Sequence, residues 1–167
     1  MDYRDGMDEV DEIVAAWRRE RPDVEVSPLE VFSRLMRLAK HLERLRKQAF
    51  TAHELDVWEW DVLSALRRSG EPYELSPGHL VAATMVTSGT MTNRVDRLVQ
   101  RGLVQRRPAP SDRRGVLVRL TPEGRQRVDG ALDTLIGLES AILEDLPSTE
   151  RDHVAQALRT LTSHFNG

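Results

Sequence analysis

Ten arginines fall between positions 94 and 127 (94, 97, 101, 106, 107, 113, 114, 119, 125 and 127), against Asp96, Asp112 and Glu123, a net charge of +7. No lysine interrupts them. A guanidinium presents a planar fork of donors suited to phosphate oxygens and base edges, so the block has the footprint of a polyanion-binding surface; a solvated helix face is the ordinary alternative. Residues 1–30 are the opposite, with ten acids and four arginines, a net −6. The 167-residue chain as a whole carries only −3, so the positive charge is local.

Other chemistries find no support. There is no cysteine, which excludes disulfides, thiol redox and zinc–thiolate sites and fits a reducing cytoplasm. His41, His53, His79, His153 and His164 form no spaced pair, so no metal is expected. The sequence holds no glycine-rich phosphate loop, nucleophile elbow or paired catalytic carboxylates; no catalytic residue is assigned, no cofactor is expected, and an enzyme is disfavoured. No apolar run approaches the ~20 residues of a membrane span. The acidic start "MDYRDGMDEVDE" lacks the apolar segment of a secretory signal. These features point to a cytoplasmic protein with no membrane partner.

The elements that must position the arginines follow from periodicity. Val10, Ile13, Val14 and Trp17 mark an amphipathic helix over about 8–21, stopped by Pro22. Ser27-Pro28 reads as an N-cap and first helical residue. The helix it opens carries Leu29, Phe32, Leu35, Leu38, Leu42 and Leu45 to about Gln48. In "HELDVWEWDVLSALRRSG", Leu55, Trp58, Val62, Ala65 and Leu66 share one side, which predicts Trp58 in the core. Ser76-Pro77 opens a short helix with Leu80, Val81 and Met85 buried. Thr87 or Ser88 caps the next, with Met91, Val95, Leu98 and Val99 inward and Gly102 at its end. Two short helices joined by a tight turn form a helix-turn-helix. The following "LVQRRPAPSDRRGVLVRLT" reads as strand, turn, strand, with Val116, Val118 and Leu120 alternating. The last third is a long helix from Pro122 to about Glu144 and a final one from Ser148 to Phe165, begun by a capping box at "PSTER".

The fold class expected is therefore mainly α: an α+β winged helix-turn-helix (residues 55–121), with an added N-terminal helix (1–25) and long helices before it (26–54) and after it (122–167). The flanking helices carry more apolar surface than one subunit can cover, which predicts a two-fold homodimer built from both ends. On the recognition helix, 100° per residue turns Asn93 and Arg97 away from Met91, Val95 and Leu98, with Thr90 and Thr92 nearby and Ser88 at the N-terminal turn. Short polar side chains and an arginine suit the major groove, and the helix N-terminus suits phosphate. Arg113 and Arg114, on the turn between the strands, suit the minor groove or phosphate, and Asp112 is assigned to orient one of them.

The run "TSGTMTNRVDRLVQRGLVQRRPAPSDRRGVLVRLTPEGR" resembles the signature of MarR-type transcriptional regulators, "SDRRGVLVRLTPEG" most specifically, and the resemblance extends from about Leu29 to Phe165. It implies a homodimer that binds a palindromic double-stranded DNA operator, usually as a repressor, and is released by a small anionic ligand. The added N-terminal helix with its tryptophan resembles the urate-responsive (UrtR) subgroup. That resemblance implies urate or a related purine as effector and carries its binding role onto Trp17, Asp61, Arg94 and Arg106. Arg68, seven residues after Asp61 and so on the same helix face, is a fifth candidate. A planar heterocyclic anion against Trp17, with arginines on its oxygens, is chemically reasonable. Asp61 either accepts a ring N–H or pairs with Arg106 until the ligand displaces it. Two alternatives stay open: a regulator answering a phenolic or antibiotic ligand, and a winged helix used for protein contacts.

Overall fold

A computed structural model describes residues 6–109 and 112–165, with the backbone alone at 112–114. It holds two compact units, one up to Arg46 and one from Lys47.

In the first unit, helix α1 (Glu9–Glu20) begins at Asp8, whose side chain accepts from the N–H groups of Val10 and Asp11, while Asp11 returns a bond to the Asp8 N–H. Acids in its first turn and Arg18 and Arg19 in its last suit the helix dipole. Val10 and Val14 pack with Val26 and Leu29 against helix α2 (Pro28–Thr51). Arg34 of α2 clasps the cap: it donates to Asp8 Oδ2 at 2.7 Å, to Asp8 Oδ1 at 2.9 Å and to Asp11 Oδ1 at 2.7 Å. That guanidinium holds the Asp8 carboxyl down at about 2. Trp17 stays half exposed.

The second unit contains the end of α2, helix α3 (Val57–Arg68), strand β1 (Glu74–Leu75), helices α4 (Pro77–Thr84) and α5 (Ser88–Gln100), strands β2 (Val104–Ala109) and β3 (Asp112–Leu120), and helices α6 (Pro122–Leu143) and α7 (Ser148–Ser163). The mainly α winged-helix class expected from the sequence is the one observed. Leu63, Leu66, Leu80, Met91, Leu98 and Leu103 form its fully buried centre with Phe50 and Val118. The wing is a three-stranded antiparallel sheet in the order β1-β3-β2, with Arg106 opposite Val118 and Glu74 opposite Arg119. Strand β1 is an addition to the two-stranded reading, and two residues are too few to show an alternation.

Thr121 joins wing to α6. Its Oγ1 accepts the Gly124 N–H at 3.0 Å and lies 2.8 Å from the Gly102 carbonyl, and its N–H donates to Leu103 O. Only glycine fits at 124, because a Cβ there would stand 2.1 Å from Leu103 O.

Several local expectations are corrected. Trp60, not Trp58, is the buried tryptophan of α3: it stacks on Phe50 with ring centroids 4.5 Å apart, and Trp58 is left half-buried. Met85 is not a core residue. It ends α4 in the left-handed region (φ 52°) and is 93% exposed, because the tight turn into α5 carries its side chain outward. Val99 sits at the rim of the α5 apolar stripe and is exposed. Helix α7 starts without a side-chain cap; Pro147 precedes it, and Arg151 turns back to donate to Leu146 O at 2.8 Å.

Candidate nucleic-acid interface and an adjoining cleft

Helix α5 divides cleanly. Met91, Val95 and Leu98 are buried, while Ser88, Thr90, Thr92, Asn93 and Arg97 are exposed. Thr87 is its N-cap, accepting the Thr90 N–H at 3.2 Å. The Thr92 hydroxyl donates to Ser88 O at 3.0 Å, so its methyl group and the Asn93 amide dominate the face around it. The side chains of Asp112, Arg113 and Arg114 lie outside the described residues.

The arginine block resolves into two sets. Arg101 pairs with Glu59, a carboxylate only 1% exposed, and donates to Glu54 O at 2.7 Å. Arg119 donates to Pro72 O at 3.1 Å. Arg125 shares Asp129 with Arg67, and Arg127 joins Glu54 and Glu123 at 2.6 and 2.7 Å. These four tie elements of the unit together. Arg106 lies 2.5 Å from Asp96 Oδ1, linking β2 of the wing to α5, with both side chains more than 40% exposed. Arg97 and Arg107 are exposed on α5 and β2.

Arg94 and Arg97, one turn apart on α5, both lie over the Trp58 ring, at 5.6 and 4.8 Å from its centroid. Arg94 and Trp58 also line a cleft of about 400 Å³ with Asp61, Lys47, Thr51 and Val57. The structure thus brings together Asp61 and Arg94 of the four residues carried over from the urate-responsive resemblance. Arg106 is held by Asp96. Trp17 belongs to the first unit, where with Arg21, Val24 and Leu29 it lines a shallow cleft of about 300 Å³. Arg68 shares the outward side of α3 with Asp61 but sits two turns further on, roughly 10 Å along the axis, and does not line the cleft.

Sequence reasoning missed Lys47 and Trp58 as cleft residues. α2 continues to Thr51, beyond the expected Gln48, and so presents Lys47 and Thr51 one turn apart. Trp58 was hidden by its assignment to the core. Together the cleft offers an aromatic face, two cations (Lys47 and Arg94) and two carboxylates (Asp56 and Asp61), of which Asp56 accepts from the Trp58 indole N–H at 3.2 Å. The set is able to hold a flat anion that also carries a ring N–H.

The profile of the MarR family matches residues 53–115. The HTH-type transcriptional regulator PecS of Dickeya dadantii (strain 3937) is 36% identical over 157 residues, 94% of this chain and 95% of that protein. Among solved structures, Bordetella bronchiseptica BpsR, whose DNA binding is regulated by 6-hydroxynicotinic acid, is 29% identical with a TM-score of 0.64, over 79% of this chain and 92% of its own. Sco5413, a MarR family transcriptional regulator from Streptomyces coelicolor, is 26% identical with a TM-score of 0.68, over 85% and 97%.

Proposed function

The chain belongs to the MarR family of winged helix-turn-helix transcriptional regulators, and from that premise we propose a ligand-responsive repressor that binds a palindromic operator as a homodimer and is released by urate or a related purine. Residues 55–121 are the DNA-binding portion. Ser88, Thr90, Thr92, Asn93 and Arg97 meet the major groove and its phosphates, and Arg113 and Arg114 the minor groove, with Asp112 orienting them. Dimerisation is supported by apolar side chains left exposed on α6 and α7, among them Leu132, Ile136, Val154 and Leu158, and by Phe165 just beyond α7.

One observation carries the ligand-responsive reading: a single indole, Trp58, holds both a cleft arginine and a groove-facing arginine. An anion in the cleft draws Arg94 toward itself and away from Trp58. Arg97 then has the whole ring face to itself and settles onto it, away from the DNA. Ligand-binding roles for Trp17 and Arg106 are carried over from the subgroup resemblance alone. Among named relatives, regulation of DNA binding by 6-hydroxynicotinic acid in BpsR supports a planar heterocyclic anion as the class of effector.

Thermal unfolding with millimolar urate or xanthine, alongside an operator gel shift, tests the reading. Both ligands raise the unfolding midpoint and release DNA in the wild type, and both effects are lost in Arg94→Gln, Asp61→Asn and Trp17→Ala. Absence of any urate stabilisation in the wild type, with stabilisation by a phenol in its place, transfers the cleft to the phenolic class.

A further inference from the structure

A second cleft in the unit from Lys47, about 740 Å³, opens at the base of the wing, and no residue of α4 or α5 lines it. Its wall is Tyr73, a bulky residue held at φ 59°, in the left-handed region that favours glycine. Backbone bonds lock it there: the Tyr73 N–H donates to Gly70 O, and Tyr73 O accepts from the Leu120 N–H at 3.0 Å. Such strain persists where surrounding contacts over-determine it, and at functional sites it serves to fix geometry in advance. Here the ring fixes arginines: the Arg67 and Arg125 guanidinium carbons lie 4.9 and 5.1 Å from its centroid.

The charges at this cleft are unequally engaged. Glu71 accepts from the Tyr73 hydroxyl at 3.2 Å, and Asp129 accepts from Arg67 at 2.8 Å, so both carboxylates have donors. Arg119 spends only its Nε, on Pro72 O; its terminal amino groups have no partner among the described residues. Arg125 reaches Asp129 only at 3.6 Å, beyond a hydrogen bond. What remains unspent is donor capacity on two guanidiniums, beside flat apolar surface from Pro72, Leu120 and Pro122. A pair of donor forks selects a carboxylate, and the flat surface selects a ring. The volume lies in the range of small-molecule sites.

We propose that this cleft binds a small aromatic carboxylate, held between Arg119 of β3 and Arg125 of α6 with its ring against Pro72, Leu120 and Pro122. Occupancy ties the central strand of the wing to the first turns of α6. The site is independent of the Asp61–Arg94 cleft, and so is its test.

Benzoate is the probe, with acetate as the control that lacks a ring, both added to the full chain. Benzoate raises the unfolding midpoint by about 3–6 °C at ten times its dissociation constant, rising with the logarithm of its concentration beyond that, and acetate far less. In wild-type amide spectra, Tyr73, Leu120 and Arg125 move with benzoate while Asp61 and Arg94 do not. Arg119→Gln and Arg125→Gln each weaken benzoate at least tenfold, and Arg94→Gln leaves its binding unchanged. No midpoint shift in the wild type, amide changes centred on Asp61 and Arg94, or equal effects of acetate each overturn the assignment. The amide map needs no variant, so poor folding of a variant does not spare the proposal.

Discussion

The Glu59–Arg101 pair separates an arginine that builds the protein from one that reads DNA. Glu59 is 1% exposed, and its Oε2 accepts from the Asp56 N–H at 2.9 Å as well as from Arg101, whose side chain is 36% exposed. Arg101→Met keeps most of the stem but leaves a buried carboxylate without its counter-charge. Breaking a fully buried pair costs roughly 3–5 kcal/mol, and the partial exposure of Arg101 lets water replace part of the loss, so we expect about 2 kcal/mol. Glu59→Gln retains an oxygen for Asp56 and for Arg101, and it strands only a guanidinium that water can reach; we expect about 1 kcal/mol. For a chain of this size those costs are roughly 4–8 °C and 2–4 °C in midpoint. Thermal and urea unfolding by circular dichroism measure both, and operator binding against salt measures function. Arg101→Met leaves the salt slope unchanged, whereas Arg97→Ala lowers it by about one per subunit. If Glu59→Gln costs as much as Arg101→Met, the desolvated-carboxylate argument fails; if Arg101→Met lowers the salt slope, Arg101 is a phosphate contact after all.

Three further outcomes follow from other parts of the molecule. Gly124→Ala forces a Cβ against the Leu103 carbonyl and costs several kcal/mol, while Gly130→Ala meets only the movable His53 ring at 2.7 Å and costs clearly less; urea midpoints of the two variants rank them. Asp8 titrates near 2 in the folded chain against 3.8 when free, because Arg34 bonds its charged form, so the clasp on α1 is fully present above about pH 4 and is lost as pH falls toward 2. In Asp8→Asn the loss of α1 helicity between those values is absent, and an unchanged acid transition in that variant rules the clasp out as its cause. Arg106→Ala and Asp96→Asn, which break the same half-exposed link, lower operator affinity alike and change stability by less than about 1 kcal/mol; Arg106→Ala alone also weakens the urate response, and equal urate responses in the two variants leave Arg106 with wing placement only.

Where local chemistry decides the structure, the sequence was readable. Met91, Val95 and Leu98 recur every three or four residues between polar neighbours, and Thr121-Pro122 pairs a cap with the one residue suited to the next position, so α5 and the start of α6 lie where expected. The tryptophans of α3 show the limit. At 100° per residue, Trp58 stands about 90° and Trp60 about 110° from the centre of the arc marked by Val62, Leu63 and Leu66. Periodicity slightly favours burying Trp58, and a contact 10 residues earlier in the chain, the Phe50 ring, reverses the outcome. Glu59 sits near the middle of that same arc, and nothing local announces a partner 42 residues away. The arginine block fails for the same reason. Its total charge is visible in the sequence, but its division into structural and free guanidiniums is set by acids on α3 and α6 and by a carbonyl before β1.

The place of Trp58 outside the core bears on how much coupling the protein can generate. An arginine over an indole contributes about 0.5–1 kcal/mol at an exposed site and about 2 when water is excluded. Trp58 is half-buried and holds two. Neither guanidinium has the whole ring face, and their like charges stand one helical turn apart, so removing one strengthens the hold on the other. If ligand capture of Arg94 gives Arg97 even half the stronger value, each subunit supplies about 1 kcal/mol against DNA binding. Two subunits acting on one palindromic site then double it. That is already within the 1–3 kcal/mol typical of allosteric coupling, without any large movement of the wing. On the proposed mechanism the same energy works in reverse by linkage: operator DNA that holds Arg97 off the ring would return Trp58 to Arg94 and weaken the ligand by the same factor. A tryptophan kept out of the core can therefore do what a core tryptophan cannot, which is to let two arginines with different ligands compete for one surface.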